Sequence, residues 1–309
     1  MIAFASNSLL CRAALKQTGI DAASFTLIRI LSGAVALWII MKIRNPKTVA
    51  AVYLSRGSDT KADDRRSEGN WPSASALFAY AAAFSFAYNS LSAGTGALLL
   101  FGAVQATMVL WGLHKGERLR SIQIVGLVVA VTGLVVLVFP GLSAPPIGGS
   151  ILMLGAGAAW GIYSLRGKTA SDAIAATAGN FLRAVPMAAV ASIALIPWAQ
   201  LDGAGITYAV ISGAITSGLG YVLWYAALSG SMPFRSGRLG DPDSPRGKLG
   251  PASAATVQLS VPVLAATGGI LLLGEPITLR YLLASIAVLG GIALVVIEKS
   301  QPGRENETI

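Results

Sequence analysis

The sequence predicts an all-α polytopic membrane protein with ten transmembrane helices, and three observations support this fold class. Of its 309 residues, 54% are hydrophobic and only 12% are charged, which is about half the charged share of soluble domains. Two long stretches, 121–165 and 203–234, contain no Asp, Glu, Lys or Arg. A membrane span needs about 20 mostly apolar residues, whereas a soluble core would need polar faces that these stretches lack. The third observation is an internal duplication, described below.

Ten hydrophobic segments can be placed along the chain, and local signals mark where several begin. Asp21 and Asp172 offer side-chain oxygens to the free amides of a helix N-terminus, and Pro72 suits a first helical turn. The segments are 2–15, 22–43, 72–91, 95–113, 121–139, 147–165, 173–198, 205–228, 252–273 and 279–297. The first is short, since 15 residues rise about 22 Å against a hydrocarbon core of about 30 Å. Either this helix begins inside the bilayer or, as we expect, the natural start lies upstream.

Positive charge predicts the orientation of these helices. With both termini in the cytoplasm, 18 of the 23 basic residues fall in cytoplasmic segments, and only Lys16 and Arg280 fall in outer loops. Cytoplasmic loops of membrane proteins carry such an excess of lysine and arginine. The sequence therefore predicts a multi-pass protein of the bacterial inner (plasma) membrane with cytoplasmic N and C termini.

The remaining composition excludes several classes of partner. The net charge of +9 does not indicate nucleic acid, because the basic residues are scattered through loops without interleaved aromatic residues. Cys11 is the only cysteine, so neither an intramolecular disulfide nor a thiolate metal site is expected. No metal or cofactor is predicted. Two polar stretches, 45–70 and 229–251, lack helical periodicity and are interpreted as flexible cytoplasmic linkers, with a regulatory role as the alternative.

The duplication divides the chain into two similar halves. An apolar run followed by Gly-Glu and a second apolar run occurs twice, with Glu117 aligned to Glu275 at an offset of 158. Upstream, Arg12 aligns with Arg166 and Arg29 with Arg183, both at an offset of 154. Each half, 1–141 and 142–299, would hold five helices, and residues 300–309 would form a cytoplasmic tail. Because five is odd, the second half must insert upside down, which gives two inverted five-helix repeats.

Several short motifs resemble those of one transporter family. They are Ala5-Ser6-Asn7-Ser8, Ala159-Trp160-Gly161-Ile162, the mid-helix Arg29 and Arg183, Gln258-Leu259-Ser260-Val261-Pro262, and the two Gly-Glu pairs. In this order they resemble the EamA-type repeats of the drug/metabolite transporter superfamily, over nearly the whole chain. One departure is Val104, which stands opposite Pro262 in the first half.

The resemblance implies a central cavity between the halves and export of small metabolites by alternating access. Family substrates include amino acids, nucleosides, sugars, sugar phosphates and cationic drugs. The first segment and the aromatic residues of the predicted cavity helices are most similar to bacterial amino-acid exporters, including those for aromatic amino acids. Both halves of the pathway lie in one chain, so a monomer would suffice. The expected partners are the lipid bilayer and a small-molecule substrate.

Polar and aromatic side chains within the spans are the candidate substrate-binding residues. Amides both donate and accept hydrogen bonds, which suits a zwitterion, and rings stack on aromatic groups or attract an ammonium. The candidates are Asn7, Tyr80, Phe84, Tyr88, Gln105, Trp111, Trp160, Tyr163, Trp224 and Gln258. The alternative for the amides is hydrogen bonding between helices, and for the rings it is packing.

Charged residues and prolines complete the set of candidates. Arg29 and Arg183 lie well inside predicted helices, where an arginine is a functional candidate. Because both halves carry one, a structural role is favoured, with a helix carbonyl, Glu117 or Glu275 as the partner. Two further residues, Pro186 and Pro262, interrupt helical hydrogen bonding and are predicted hinges.

The absence of an acidic residue near the middle of any predicted span bears on mechanism. Small multidrug members of the superfamily exchange a proton for a cation at a membrane carboxylate, so we expect facilitative transport without obligatory proton coupling. Nucleoside, sugar or phosphorylated-metabolite transport is the alternative. A lipid-modifying membrane enzyme is the alternative of another class, but no acid–base constellation of the kind such catalysis needs is visible. An enzyme is therefore not expected.

Overall fold

The protein is helical throughout the part that the structure describes. The computed structural model describes residues 1–44, 69–116, 119–141, 144–167, 172–229 and 257–298, and no strand occurs in these ranges. The helices are α1 Ile2–Gln17, α2 Ala22–Arg44, α3 Trp71–Tyr88, α4 Ala93–His114, α5 Ser121–Val138, α6 Ile147–Gly167, α7 Ala173–Ala194, α8 Gly203–Ser229, α9 Ser260–Leu273 and α10 Leu279–Glu298, with a short 3₁₀ turn Ile196–Trp198.

The predicted all-α fold class is confirmed for the described residues. Within the described ranges, α2, α4, α5, α6, α7, α8 and α10 are long and apolar enough to cross a membrane. The other three helices fall short: α1 has 16 residues, α9 has 14, and the serines and tyrosines of α3 make it less apolar. A count of ten spans therefore remains a prediction.

Aspartate side chains cap the N-termini of α2 and α7, as the sequence predicts. The Asp21 carboxylate accepts from the backbone amides of Ala23 and Ser24 at the start of α2, and from Gln200 N at 2.9 Å. Burial opposes ionisation of this carboxyl group, but its hydrogen bonds outweigh burial, so the pKa of Asp21 lies below its usual range. Asp172 caps α7 in the same way through Ile174 N.

Helices of the first half of the chain pack mainly against helices of the second half. In the described residues, α1 contacts α8 and α9, α2 contacts α7 and α8, α3 contacts α6 and α7, and α4 contacts α6 and α9. The remaining pair, α5 and α10, has the most extensive contact. The centre of the molecule is therefore formed by both halves together.

The contact between α5 and α10 depends on two facing glycines. A Cβ on Gly126 would lie 2.6 Å from the carbonyl oxygen of Gly291, and a Cβ on Gly291 would overlap the carbonyl oxygen of Gly126. Only glycine lets two helix backbones approach this closely. Gly290, the next residue, has no neighbour within 4 Å of its Cβ position.

The glycines of the two Gly-Glu units have similar backbone conformations. Gly116 after α4 and Gly274 after α9 both have positive φ, 89° and 63° respectively. A left-handed residue that ends a helix favours glycine, which has no Cβ to clash. Glu275 therefore follows directly on a helix end. Glu117, predicted as its counterpart, lies outside the described residues.

Helix α8 contains a π-helical segment, Ser212–Leu219, between α-helical Gly203–Ile211 and Gly220–Ser229. A Cβ on Gly213 would overlap the Arg29 carbonyl oxygen and Ser32 Oγ of α2. Glycine at this position thus brings the π-helical segment against the middle of α2. Such segments are rare and frequently lie at functional sites.

Candidate functional site

Six polar side chains meet near the middle of the bundle, and we call them the central cluster: Asn7, Arg29, Tyr80, Ser212, Thr216 and Ser217. The Asn7 amide donates to Tyr80 Oη at 3.3 Å, and Asn7 Oδ1 accepts from Ser212 Oγ at 2.7 Å and from Thr216 Oγ1 at 3.2 Å. All six are buried. Each lies inside its helix, so helices α1, α2, α3 and α8 all contribute to one polar centre.

Arg29 carries the only charge in the central cluster. It is 2% exposed, donates from Nη2 to Tyr80 Oη at 3.0 Å, and donates from Nε to Ser217 Oγ at 3.3 Å. Its guanidinium carbon lies 5.3 Å from the Tyr80 ring centroid and 4.9 Å from that of Phe84. Nη1 is buried without a hydrogen-bond partner. Within the described residues, no carboxylate lies within ion-pair distance of Arg29.

The π-helical segment explains how α8 supplies three hydroxyls to one site. In an α-helix, residues five apart lie on different faces, whereas the wider turn of a π-helix, whose bonds join i and i+5, brings residues five apart closer to the same face. Ser212, Thr216 and Ser217 therefore all face α1 and α2. Ser212 and Thr216 reach Asn7, while Ser217 reaches Arg29.

Aromatic rings surround the central cluster. Trp160 of α6 lies at the centre of this set, 4.9 Å from Tyr80 and 5.0 Å from Tyr221 between ring centroids. Phe4 lies 5.9 Å from Tyr221 and 5.9 Å from Trp224. These separations are typical of interacting aromatic pairs. The rings come from four helices of both halves.

A small cavity lies between the central cluster and these rings. Its lining includes Phe4, Asn7, Tyr80, Phe84, Trp160 and Gln258. Its volume, about 10 Å³, is barely sufficient for one water molecule. The conformation described is therefore closed around its polar centre.

Of the predicted substrate-binding residues, the structure brings six together and places four elsewhere. Asn7, Tyr80, Phe84, Trp160 and Gln258 line the cavity, and Trp224 contacts Phe4 in the surrounding shell. The other four are Tyr88, Gln105, Trp111 and Tyr163.

Those four residues have other surroundings. Tyr88 Oη donates to Ala93 O at 3.2 Å, so it joins the ends of α3 and α4. Gln105 is buried near α5 and α10 with no partner for Nε2. Trp111 is 49% exposed beside Lys115 at the end of α4. Tyr163 contacts the central rings only through Trp160, at 5.4 Å.

The remaining charged candidates have the following partners. Glu275 pairs with Arg12 at 3.1 Å and not with Arg29 or Arg183. Its second carboxylate oxygen accepts from Ala93 N at 2.8 Å. Arg183 Nη1 donates to Gly179 O, one turn back in α7, at 3.1 Å.

The Arg12–Glu275 pair connects four elements at one end of the bundle. Arg12 Nη1 donates to Tyr88 O at 2.8 Å, so the pair joins α1, the end of α3, the start of α4 and the loop between α9 and α10. Glu275 and Tyr281 also line an open pocket of about 200 Å³ at this end. The orientation predicted from the basic residues would place this end outside the cell.

The two predicted hinge prolines differ in position. Pro186 lies inside α7, where it leaves a carbonyl one turn back without its amide donor. Pro262 lies in the first turn of α9, and the helical path is interrupted three residues earlier, at Leu259. Pro262 cannot donate to the carbonyl of Gln258, which accounts for that interruption.

Sequence reasoning missed Phe4, Ser212, Thr216, Ser217 and Tyr221. The available signal was three hydroxyls within six residues of an otherwise apolar, uncharged span. On a 3.6-residue period Ser212 and Thr216 share a face but Ser217 does not, so the pattern does not indicate all three as one set.

The fold and site define a multi-pass helical membrane protein with a closed, polar centre. No family model matches the sequence. Uncharacterized protein PA1977 of Pseudomonas aeruginosa is 50% identical over 296 residues, which cover 96% of this chain and 91% of that protein. The chain belongs to the family of this P. aeruginosa protein.

A solved structure shares the fold. It is described as "Crystal structure of protein", and it superposes with a TM-score of 0.61 at 16% identity, covering 97% of this chain and 96% of that chain. The shared fold extends over nearly the whole length of both chains.

Proposed function

We propose that the chain is a membrane transporter that exports small metabolites, with neutral and aromatic amino acids as its substrates, and that it belongs to the EamA-type transporters. The observation that carries this proposal is the central cluster. Buried polar groups at membrane depth are costly unless they serve a substrate pathway or join helices. Here two of them, Asn7 and Tyr80, line a cavity to which both halves of the chain contribute.

The site chemistry favours amino acids with apolar or aromatic side chains. Asn7 and Gln258 offer amide donors and acceptors, Arg29 offers a positive charge, and Trp160 and Phe84 offer ring faces. The amides and the positive charge suit a zwitterionic head group, and the ring faces suit an aromatic side chain. The cavity is too small for such a substrate, so binding requires the helices to separate.

Alternating access supplies that separation within the proposal. The two halves would be inverted five-helix repeats that rock about the central cluster, as in other transporters built from such repeats. The proline interruptions in α7 and α9 would serve as bending points. In the proposed orientation, with both termini in the cytoplasm, the Arg12–Glu275 pair closes the outer side in the conformation described.

Uptake into proteoliposomes tests the proposal. Labelled phenylalanine and leucine should enter vesicles that hold the purified protein, saturably and in mutual competition. Rates should not change when a pH gradient is imposed, because no acidic residue belongs to the central cluster. Trp160→Ala should abolish uptake. Trp111→Ala, which removes a half-exposed indole far from the site, is the matched control and should retain it.

The opposite results are equally informative. Saturable uptake of nucleosides or sugar phosphates, with none of amino acids, would replace the proposed substrate class with the alternative one. A steep dependence on the pH gradient would contradict the facilitative mechanism. Equal loss of uptake in both tryptophan variants would remove the central cavity as the substrate site.

A further inference from the structure

The state of Arg29 indicates which chemical group the site receives. A guanidinium has five N–H donors and one full positive charge. In the described residues its acceptors are two neutral hydroxyls, Tyr80 and Ser217, and Nη1 has no partner. A buried charge normally has a counter-ion, because removing an ion from water costs several kcal/mol. Ring faces compensate only a part of that cost.

No neighbouring carboxylate supplies the missing counter-ion within the described part of the chain. Glu275 is occupied by Arg12 and by the amide of Ala93 at the end of the bundle. The remaining members of the central cluster are hydroxyls and one amide, all neutral at pH 7. The site as described thus has an unbalanced charge of one.

Two side chains that line the cavity also contact the guanidinium. Tyr80 and Phe84 line the cavity, and the same two rings lie against Arg29. The Tyr80 hydroxyl accepts from both Arg29 and Asn7. A molecule that displaced this hydroxyl would meet the Arg29 and Asn7 donors together.

We propose that Arg29 binds the carboxylate of the transported molecule and is the specificity-determining residue for acids over amides and amines. This inference rests on the proposed function, because it assigns a role at the same site. Arginine holds a carboxylate through two parallel N–H···O bonds, and Nη1 is free to complete such a pair. One positive charge matches a carboxylate and leaves half of a phosphate dianion uncompensated, so the carboxylate is the favoured oxyanion.

The ammonium group of an amino acid would bind beside the carboxylate, at the Asn7 oxygen. Asn7 Oδ1 accepts from Ser212 Oγ and Thr216 Oγ1, and the single proton of Thr216 can turn wholly to Ser212 O, which lies closer at 2.6 Å, to release Asn7. The faces of Trp160 and Phe84 add an attraction for a cation. An α-amino acid therefore satisfies the charge and the hydrogen bonds of the site at once.

Binding of phenylalanine analogues to the purified protein tests this inference separately from transport. The probes are L-phenylalanine, L-phenylalaninamide, phenethylamine, 3-phenylpropionate and glucose 6-phosphate, with binding followed by tryptophan fluorescence, since Trp160 lines the cavity. Wild-type protein should bind the amide and the amine about 10- to 100-fold more weakly than phenylalanine, the ratio expected for loss of hydrogen bonds to a charged group. Phenylpropionate should retain binding, and glucose 6-phosphate should not bind.

Matched arginine variants locate the effect. Arg29→Gln should abolish the preference for phenylalanine over its amide, and Arg29→Lys, which keeps the charge, should restore part of it. Arg183→Gln removes the aligned arginine of the second half, which donates to a carbonyl of its own helix, and should keep the full preference. If Arg29→Gln does not fold, the Lys variant provides the comparison, because lysine cannot form the paired bonds.

Each outcome supports or overturns the inference. Equal binding of acid and amide by wild-type protein overturns it, as does loss of the preference in Arg183→Gln but not in the Arg29 variants. Tighter binding of glucose 6-phosphate assigns the charge to phosphate and overturns the carboxylate. Acid-selective binding through Arg29 without uptake supports the inference and defeats the proposed transport function. Uptake at equal rates for the acid and the amide supports the proposed transport function and overturns this inference.

Discussion

The Tyr80 hydroxyl connects the two parts of the central cluster, because it accepts from both Arg29 Nη2 and Asn7 Nδ2. Tyr80→Phe keeps the ring but leaves both donors without this acceptor, and an unsatisfied buried group is costly. Because the proposed carboxylate displaces this hydroxyl and satisfies both donors, we expect substrate affinity to rise about tenfold and the thermal stability of the unliganded protein to fall slightly.

Tyr88→Phe is the matched control in the same helix. This substitution keeps the Tyr88 ring, which packs on Phe84 with ring centroids 4.8 Å apart, and removes only a hydroxyl that donates to Ala93 O, so this variant should keep its affinity. Uptake measured against substrate concentration, beside thermal unfolding, distinguishes the two effects. Equal affinities for wild-type protein and Tyr80→Phe would show that the hydroxyl has no role in binding.

The Arg12–Glu275 pair should be strongly coupled, because its side chains are only 11% and 6% exposed. Glu275→Gln leaves Arg12 as a poorly paired buried charge, and Arg12→Gln leaves Glu275 in the same state, so each single change should lower the unfolding temperature. The double variant should lose less than the sum, with a coupling of about 1–3 kcal/mol. A double-variant cycle of thermal or denaturant unfolding measures it, and strict additivity would contradict the pairing.

At the residue scale, sequence reasoning identified side chains better than it identified their partners. Asn7, Tyr80, Phe84, Trp160 and Gln258 could be selected because polar and aromatic residues in an apolar span are conspicuous. The pairing of Glu275 with Arg12 could not be predicted, since it depends on how loops and helix ends meet in space. The sequence suggested Glu117 or Glu275 as the partner of Arg29 or Arg183, whereas in the structure Glu275 pairs with Arg12.

At the scale of single elements, the α5–α10 contact predicts that alanine substitutions at two adjacent glycines have different effects on stability. Gly291→Ala places a methyl group against the Gly126 carbonyl, and overpacking of this kind costs about 1–3 kcal/mol. Gly290→Ala adds the same methyl group to open space and should be tolerated. Thermal unfolding of both variants in the same detergent provides the measurement. Equal unfolding temperatures would show that α5 and α10 separate without cost.

The π-helical segment gives a second element-scale prediction. Gly213→Ala would force α8 away from the Arg29 carbonyl and shift the three hydroxyls relative to Asn7 and Arg29. We expect substrate binding to be lost while the protein still folds. Gly155→Ala in α6, whose Cβ would have no neighbour within 4 Å, is the control. Normal binding by Gly213→Ala would contradict the proposed role of this close approach.

The positions of the helices could be predicted well from the sequence, but the π-helical segment within α8 could not. Apolar runs, an Asp before α2 and α7, and glycines after α4 and α9 fixed the segments because these signals are local. The π-helical segment has no local signal of comparable strength. It is stabilised by the approach of Gly213 to α2 and by hydroxyl bonds to Asn7, both of which are tertiary contacts.

On the scale of the whole molecule, the charge distribution predicts which end faces the cytoplasm. Gln17 at the end of α1 and Lys115 after α4 are exposed at opposite ends of the proposed topology. In intact cells, an impermeant thiol reagent should label Gln17→Cys, and it should label Lys115→Cys only after lysis. The native Cys11 is fully buried and provides little background. The reverse pattern would invert the orientation.

The arrangement of the two halves could be anticipated only in part. The repeated Gly-Glu units and aligned arginines indicated a duplication, and the structure shows that each helix of the first half packs on helices of the second. Which side of the centre is closed could not be deduced, because a transporter of the proposed kind would close each side in turn and its sequence would encode both states. The small cavity and the Arg12–Glu275 pair are properties of one conformation.

The unbalanced charge of Arg29 has a kinetic consequence for the proposed cycle. A carrier that returns empty must pass through a closed state with a bare guanidinium, whereas a loaded carrier passes through it neutralised. The empty return should then be the slow step, so substrate placed on the receiving side should accelerate release from the other. Such trans-stimulation would make the protein an exchanger at steady state, and amino-acid pools on the two sides of the membrane would set the direction of flow.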